Sequence, residues 1–157
     1  MRPPKNSRRN SEYISKCFLS YAYENADRIS VQAFKYILAR DHGDDGIIFD
    51  DQVLVGESIT QFIKQIESSD AAIILMTPEY KNRVRNRTGV VKEEYDRILE
   101  RYDASCEKRE KGLKPFEIKG YFQIIPILWS GDHETSVPSE ISERTLKYLD
   151  FREFRVS

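Results

Sequence analysis

Short apolar runs alternate with longer amphipathic segments along most of this chain, and this alternation restricts its fold more than any other feature. Four runs have the length and composition of strands buried on both faces: "KCFLSY", "GIIFD", "AAIILMT" and "YFQIIPILWS". Three segments between them carry apolar residues at helical spacing: "RISVQAFKYILARD", "ESITQFIKQIESSD" and "VVKEEYDRILERYD". Strands and helices in this regular order predict a parallel sheet with helices on both faces and right-handed crossovers.

The expected fold class is therefore α/β, a flavodoxin-like three-layer fold with a central parallel sheet of about five strands. A short helical stretch should precede the last strand, which is expected around residues 148–151. Pro126 should lie near an edge or a bulge, because it cannot donate to the strand ladder. Residues 77–89 and 104–119 are expected to form loops. Ligands of such sheets bind beyond the carboxyl ends of the strands, which directs attention to three loops: residues 22–27, 50–56 and 77–89.

Composition limits the chain to one domain of ordinary type. Its 157 residues are 39% apolar, enough for one core, and 25 basic against 26 acidic residues nearly cancel, so charge does not predict a nucleic-acid partner. Cys17 and Cys106 lie far apart, and only two histidines could assist them, so neither a disulfide framework nor a metal site is expected. No apolar run approaches the roughly 20 residues of a membrane span, and the N-terminus lacks a signal-peptide core. We therefore expect no membrane partner and a cytoplasmic location.

The two ends of the chain differ from its middle. Residues 1–15 mix proline, asparagine, serine and basic side chains without periodicity, which predicts a disordered basic tail. Residues 16–152 carry the folded pattern, and residues 153–157 form the C-terminal end.

Helical geometry separates the adjacent residues Glu93 and Glu94. With Val91 and Ile98 in the core-facing row, Glu94 lies three residues after one and four before the other, so it borders the apolar stripe. Glu93 points outward, where it could pair with Arg97. A carboxylate on the apolar side is costly unless it is paired or placed in a cleft, so Glu94 is the candidate for chemistry. The alternative is a helix-start charge favoured by the helix dipole, bonded to an arginine at position 85 or 87.

Four motifs in order resemble the TIR (Toll/interleukin-1 receptor) domain, especially its short bacterial kind, with the SEFIR group as a near neighbour. They are "CFLSYAYENAD", "IIFDDQVLVGESI", "LMTPEYKNRVRNRTGVVKEEYDRI" and "IIPILW". The resemblance covers about residues 16–151. It implies an enzyme that cleaves NAD+ at the nicotinamide–ribose bond, with NAD+ as substrate and no cofactor. Glu94 matches the catalytic glutamate, while Val90 stands where enzymatic members often have tryptophan; the bacterial subgroup with glycine and valine here also lacks it.

The resemblance also implies roles for residues in two loops. Ala22 and Tyr23 would lie against the nicotinamide side, with Tyr21 near by, although aromatic residues that leave a strand often simply cover the core. Asp50 would lie at the end of the second strand. The BB loop, residues 50–56, would mediate self-association, with Leu54 contacting a neighbouring subunit and Gly56 allowing a backbone bend.

Three further expectations follow from the resemblance. TIR domains also act as non-catalytic interaction modules, so a scaffold in signalling is the alternative function. TIR proteins commonly continue into a sensor region, so this chain is expected to be a TIR portion of a larger bacterial antiphage defence protein, with a stand-alone TIR as the alternative. The product is ADP-ribose or a cyclic isomer.

A phosphate-accepting receiver domain fits poorly, because the first strand ends in Ser20 and Tyr21 rather than in an aspartate.

Overall fold

The computed structural model describes residues 16–22, 28–42, 47–49, 64–86, 89–112 and 122–154. The strands are β1 (Cys17–Ser20), β2 (Ile47–Phe49), β3 (Ala71–Met76), β4 (Gln123–Leu128) and β5 (Leu149–Asp150). The α-helices are α1 (Arg28–His42), α2 (Pro78–Arg85), α3 (Gly89–Glu110), α4 (His133–Ser136) and α5 (Ser139–Glu143). Two 3-10 turns cover Lys64–Ile66 and Arg152–Phe154. The predicted tail, residues 1–15, lies outside the described residues.

All five strands are parallel and follow the order β2-β1-β3-β4-β5. This is the strand order of flavodoxin-like folds, so the predicted fold class is confirmed. The last strand is only two residues long and pairs with Ile127 and Leu128. Pro126 lies just before that pairing begins and faces Ile74 of β3, which confirms that it sits near an edge.

The strands separate two apolar layers, because successive side chains of a strand point to opposite faces. In β1 and β3, Phe18 and Ile74 belong to the layer that holds α2, α3 and α5, which we call the α3 face. Leu19 and Ile73 belong to the layer under α1, which we call the α1 face. The α1 face includes a group of aromatic rings in mutual contact: Phe34, Trp129, Phe151 and Phe154.

Two loop predictions were wrong. Residues 78–85 form a helix, which begins where the Thr77 hydroxyl accepts a hydrogen bond from the backbone N–H of Tyr80 (3.0 Å). The helix predicted to end near residue 103 continues to Glu110, because Ser105 is still on the buried side, and Gly112 with φ of 84° follows its end. The helix predicted between β2 and β3 is described over residues 64–70 and is wrong there: Lys64–Ile66 form a 3-10 turn that buries Ile66, and residues 67–70 are not helical.

Candidate active site at the carboxyl edge of β1 and β3

The chain leaves β1 and β3 in opposite directions at the carboxyl edge of the sheet. These strands are neighbours, yet the helix after β1 packs on the α1 face, whereas the helices after β3 pack on the α3 face. A crevice opens where adjacent strands send their connections to opposite faces, and open α/β sheets bind ligands there. The polar side chains near this point are therefore the first candidates for function.

Glu94 is a buried charged residue on α3, one of the helices that follow β3. Its side chain has 0% exposure, whereas that of Glu93 is exposed, as helical periodicity predicted. The expected Glu93–Arg97 pair was wrong, because Arg97 contacts Glu67 and Glu100 instead (both 3.3 Å). Burial of a carboxylate is costly, and buried ionisable groups cluster at functional sites. Glu94 therefore has the environment of a functional group.

Contacts further along α3 show which part of the sheet Glu94 faces. Arg101 donates to the carbonyl oxygens of Ile66 (2.5 Å) and Ser69 (2.6 Å), which precede β3 at its amino end. Seven residues are nearly two helical turns, so Glu94 lies on the same side of α3, roughly 10 Å nearer the carboxyl edge. Asp103, on the opposite side of the helix, binds Arg144 after α5 (2.7 Å). Glu94 therefore turns away from α5 and towards the middle of the sheet.

Two other residues singled out in the sequence lie on the same face as Glu94. Ala22 is buried in the core cluster of the α3 face, and Val90, one turn before Glu94, packs against that cluster. The structure thus places Ala22, Val90 and Glu94 in one layer. Val90, the position at which the resemblance in the sequence would lead us to expect tryptophan in many enzymatic members, fills less space than that side chain would.

Tyr21 lies on the other face. It is buried under α1, and its hydroxyl accepts a hydrogen bond from the ammonium of Lys35 (2.5 Å), which is itself buried. The same ammonium lies 4.6 Å from the centre of the Tyr21 ring. Residues 21 and 22 continue the strand, so their side chains point to opposite faces of the sheet. Ala22 lies on the α3 face with Glu94, and Tyr21 lies on the α1 face. A packing role for Tyr21, the alternative raised by the sequence, suits this position.

Four predicted site residues lie outside the described residues: Tyr23, Asp50, Leu54 and Gly56.

A buried pair of hydroxyl groups escaped the sequence reasoning. Ser20 Oγ and Tyr80 Oη lie 2.9 Å apart, and both side chains are fully buried. Ser20 ends β1 and points to the α3 face, and Tyr80 is in the first turn of α2 after β3. The pair therefore joins the two chain segments that diverge at the crevice. The Thr77-Pro78 sequence, a good cap followed by a proline, could have revealed the helix that carries Tyr80.

The tyrosine next to Glu94 is held in its neutral form. Burial and the nearby Glu140 carboxylate raise the pKa of Tyr95 well above its ordinary value. Its hydroxyl donates to Glu140 Oε2 (3.3 Å) on α5, on the side away from Glu94. Tyr95 is thus a donor engaged in helix packing rather than a second acid or base.

The described ranges contain no group of three histidine, cysteine, aspartate or glutamate side chains placed to hold a metal ion. Within the same ranges, no helix is long and apolar enough to cross a membrane. No protein-family model and no curated protein sequence matches this chain.

Proposed function

We propose that this chain is a TIR domain that cleaves NAD+ at the nicotinamide–ribose bond, with Glu94 as the catalytic carboxylate. The observation that carries the proposal is the fully buried Glu94 on the sheet-facing side of α3, in a flavodoxin-like fold whose ligands bind at the β1/β3 switch point. Glu94 is also the residue that the TIR motifs select in the sequence. Helix geometry and motif register therefore support the same residue by separate arguments.

One carboxylate is enough for this chemistry. Nicotinamide leaves as a neutral molecule from a cationic ring, so the enzyme has mainly to stabilise a ribose that becomes oxocarbenium-like in the transition state, as glycosidases do. The negative charge of Glu94 would oppose that developing positive charge, and its oxygens would accept hydrogen bonds from the ribose hydroxyls. Water as the attacking group gives ADP-ribose, whereas an internal nitrogen or hydroxyl of the nucleotide gives a cyclic isomer.

The burial of Glu94 requires the site to open before the carboxylate meets a substrate, and we propose that self-association favours this opening. A side chain without exposed surface can touch a substrate only after the residues that cover it have moved. Contacts made by a second copy through the BB loop, residues 50–56, would favour the open arrangement by binding it better than the closed one. We further propose that the domain acts in the bacterial cytoplasm, in antiphage defence.

A non-catalytic TIR–TIR scaffold is the second candidate, and exposed apolar side chains favour it. Ile29 and Tyr36 are 73% and 70% exposed and lie seven residues apart, on one side of α1. Two large exposed apolar side chains on one side of a helix give that side contact area for a second copy. Val90 also favours this candidate, because a TIR domain that only assembles does not need the tryptophan of the enzymatic pattern.

Nicotinamide release from NAD+, measured by chromatography over a wide range of protein concentration, tests the proposal. We compare the wild type with Glu94→Gln, which keeps the shape of the side chain, and with the matched control Glu93→Gln. Glu94→Gln should lose at least about 100-fold in kcat, since the charge that stabilises the transition state is gone, and Glu93→Gln should retain wild-type activity. Circular dichroism checks that both variants are folded.

Two outcomes contradict the proposal. Equal activity in all three proteins would show that Glu94 is not the catalytic carboxylate. No turnover by the wild type, even when a fused coiled coil forces it to oligomerise, would favour the scaffold.

A further inference from the structure

The hydroxyl groups of Ser20 and Tyr80 form a buried bond that spans one strand. Ser20 pairs in register with Ile74 of β3, and the chain passes from β3 through Thr77 into α2 before it reaches Tyr80. The 2.9 Å contact therefore ties the end of β1 to the first turn of α2, over the carboxyl end of β3. Among the described side-chain bonds, it is the one that directly joins the two segments that diverge at the switch point.

This bond lies on the face that holds Glu94. Strand alternation puts Ser20 with Phe18 and Ala22 on the α3 face, and Tyr80 belongs to the same core cluster. α2 also packs along α3, the helix that carries Glu94, and the Tyr80 ring meets the edge of the Tyr95 ring with 6.1 Å between their centres. The position of α3 relative to the end of β1 is thus set partly through Tyr80.

The burial of the pair limits what it can do. Ser20 and Tyr80 have no exposed surface and their hydroxyl groups bond each other, so we assign neither a contact with the nucleotide. They can act only through a residue that makes this contact. A 1 Å displacement of a reacting group is enough to cost a large factor in rate, so a bond that fixes α2 and α3 against β1 has a direct kinetic consequence.

We propose that Ser20 and Tyr80 are positioning residues for Glu94. The proposal rests on the proposed function: the hydroxyl pair fixes the Glu94 helix relative to β1, and thereby the position from which the carboxylate meets the ribose once the site has opened. The hydrogen bond joins these two side chains, so both hydroxyl groups are needed to form it.

Removal of either hydroxyl tests this in the full chain with NAD+ as substrate. Tyr80→Phe keeps the ring, and Ser20→Ala removes only one oxygen. Each should lower kcat roughly 10- to 100-fold, while KM changes less than about threefold, because the pair does not touch the substrate. The double variant should lose clearly less than the product of the two single losses, since both substitutions break the same bond. Ser20→Thr, which keeps the hydroxyl, should retain most of the wild-type kcat.

Tyr95→Phe is the matched control. It also removes a buried tyrosine hydroxyl, but this hydroxyl bonds Glu140 on α5. It should lower the melting temperature and leave kcat unchanged within experimental error. A kcat loss restricted to Tyr80→Phe and Ser20→Ala therefore reports positioning and not a general loss of packing.

The possible failures are distinguishable. If Glu94→Gln is inactive while Tyr80→Phe and Ser20→Ala keep wild-type kcat, the positioning role is wrong and the proposed function stands. Multiplicative losses in the double variant would also overturn it, because independent effects do not come from one bond. If wild type releases no nicotinamide in any assembly state, the proposed function fails and this inference fails with it. Should Tyr80→Phe not fold, Ser20→Ala alone decides.

Discussion

Glu93 and Glu94 are adjacent in α3, yet Glu94 has no exposed surface and Glu93 points into solvent. Charge reversal at the two positions should therefore have very different costs. Glu94→Lys puts a longer cation into a closed space and should lower the free energy of unfolding by more than about 3 kcal/mol. Glu93→Lys should change it by less than about 0.5 kcal/mol, because the new charge is hydrated. Urea unfolding measures both, and similar small effects would mean that Glu94 is accessible to water in solution.

The start of α2 gives a second prediction. Thr77 caps the helix by accepting a hydrogen bond from the backbone N–H of Tyr80 (3.0 Å). Thr77→Ala leaves that donor without its acceptor and should lower the free energy of unfolding by about 1 kcal/mol. Thr77→Ser keeps the hydroxyl and serves as the control, with a smaller loss. Equal losses in chemical denaturation would attribute the effect to the buried methyl group rather than to the cap.

The central sheet was predictable because its strands are buried on both faces. The runs that became β3 and β4 are almost continuously apolar, and such a run cannot be solvated on either side. Helical periodicity likewise placed Glu94 inside and Glu93 outside, because the 3.6-residue period of the apolar residues determines which side of a long helix faces the sheet.

The connections of the site were less predictable. α2 was missed because its eight residues hold only two buried side chains, Tyr80 and Val84, too few for a helical pattern to stand out. Its cap sequence, threonine followed by proline, was the signal that remained. The Ser20–Tyr80 bond joins residues sixty positions apart, and it depends on the register of β1 against β3, which local sequence does not encode.

The two cysteines should differ in reactivity. Burial raises the pKa of the Cys17 thiol to about 12, so at pH 8 only about one molecule in ten thousand carries the reactive thiolate there. Cys106 is partly exposed on α3. Iodoacetamide under native conditions should modify Cys106 and leave Cys17 intact, as peptide mass spectrometry would show. In urea both should react, and equal labelling of the two without urea would contradict the burial of β1.

The carboxylate of Asp150 makes stability depend on pH in the acid range. Hydrogen bonds from the Arg152 guanidinium (2.7 and 2.9 Å) and from the Arg152 backbone lower the pKa of Asp150 from 3.8 to about 2. A depressed folded-state pKa means that the stabilisation is present above about pH 4 and is lost as the pH falls to about 2. Asp150→Asn should therefore unfold more easily than wild type near pH 6, and the two should converge near pH 2. A difference that does not vary with pH would exclude the carboxylate as its source.

The turn after β4 requires a glycine for two reasons, which a matched pair of variants can separate. Gly131 has φ of 78°, and a Cβ there would collide with Ser136 Oγ and lie 2.9 Å from Cγ of Pro78, the first residue of α2. Gly112 has a similar φ of 84°, but a Cβ there would meet nothing within 4 Å. Gly112→Ala should cost about 1 kcal/mol of unfolding free energy, for the left-handed backbone alone. Gly131→Ala should cost roughly 3 kcal/mol or more, because the crowding adds to the same backbone strain. Equal costs in urea unfolding would show that the turn can move away from α2. The larger cost at Gly131 would show that the turn packs tightly on the helix that carries Tyr80.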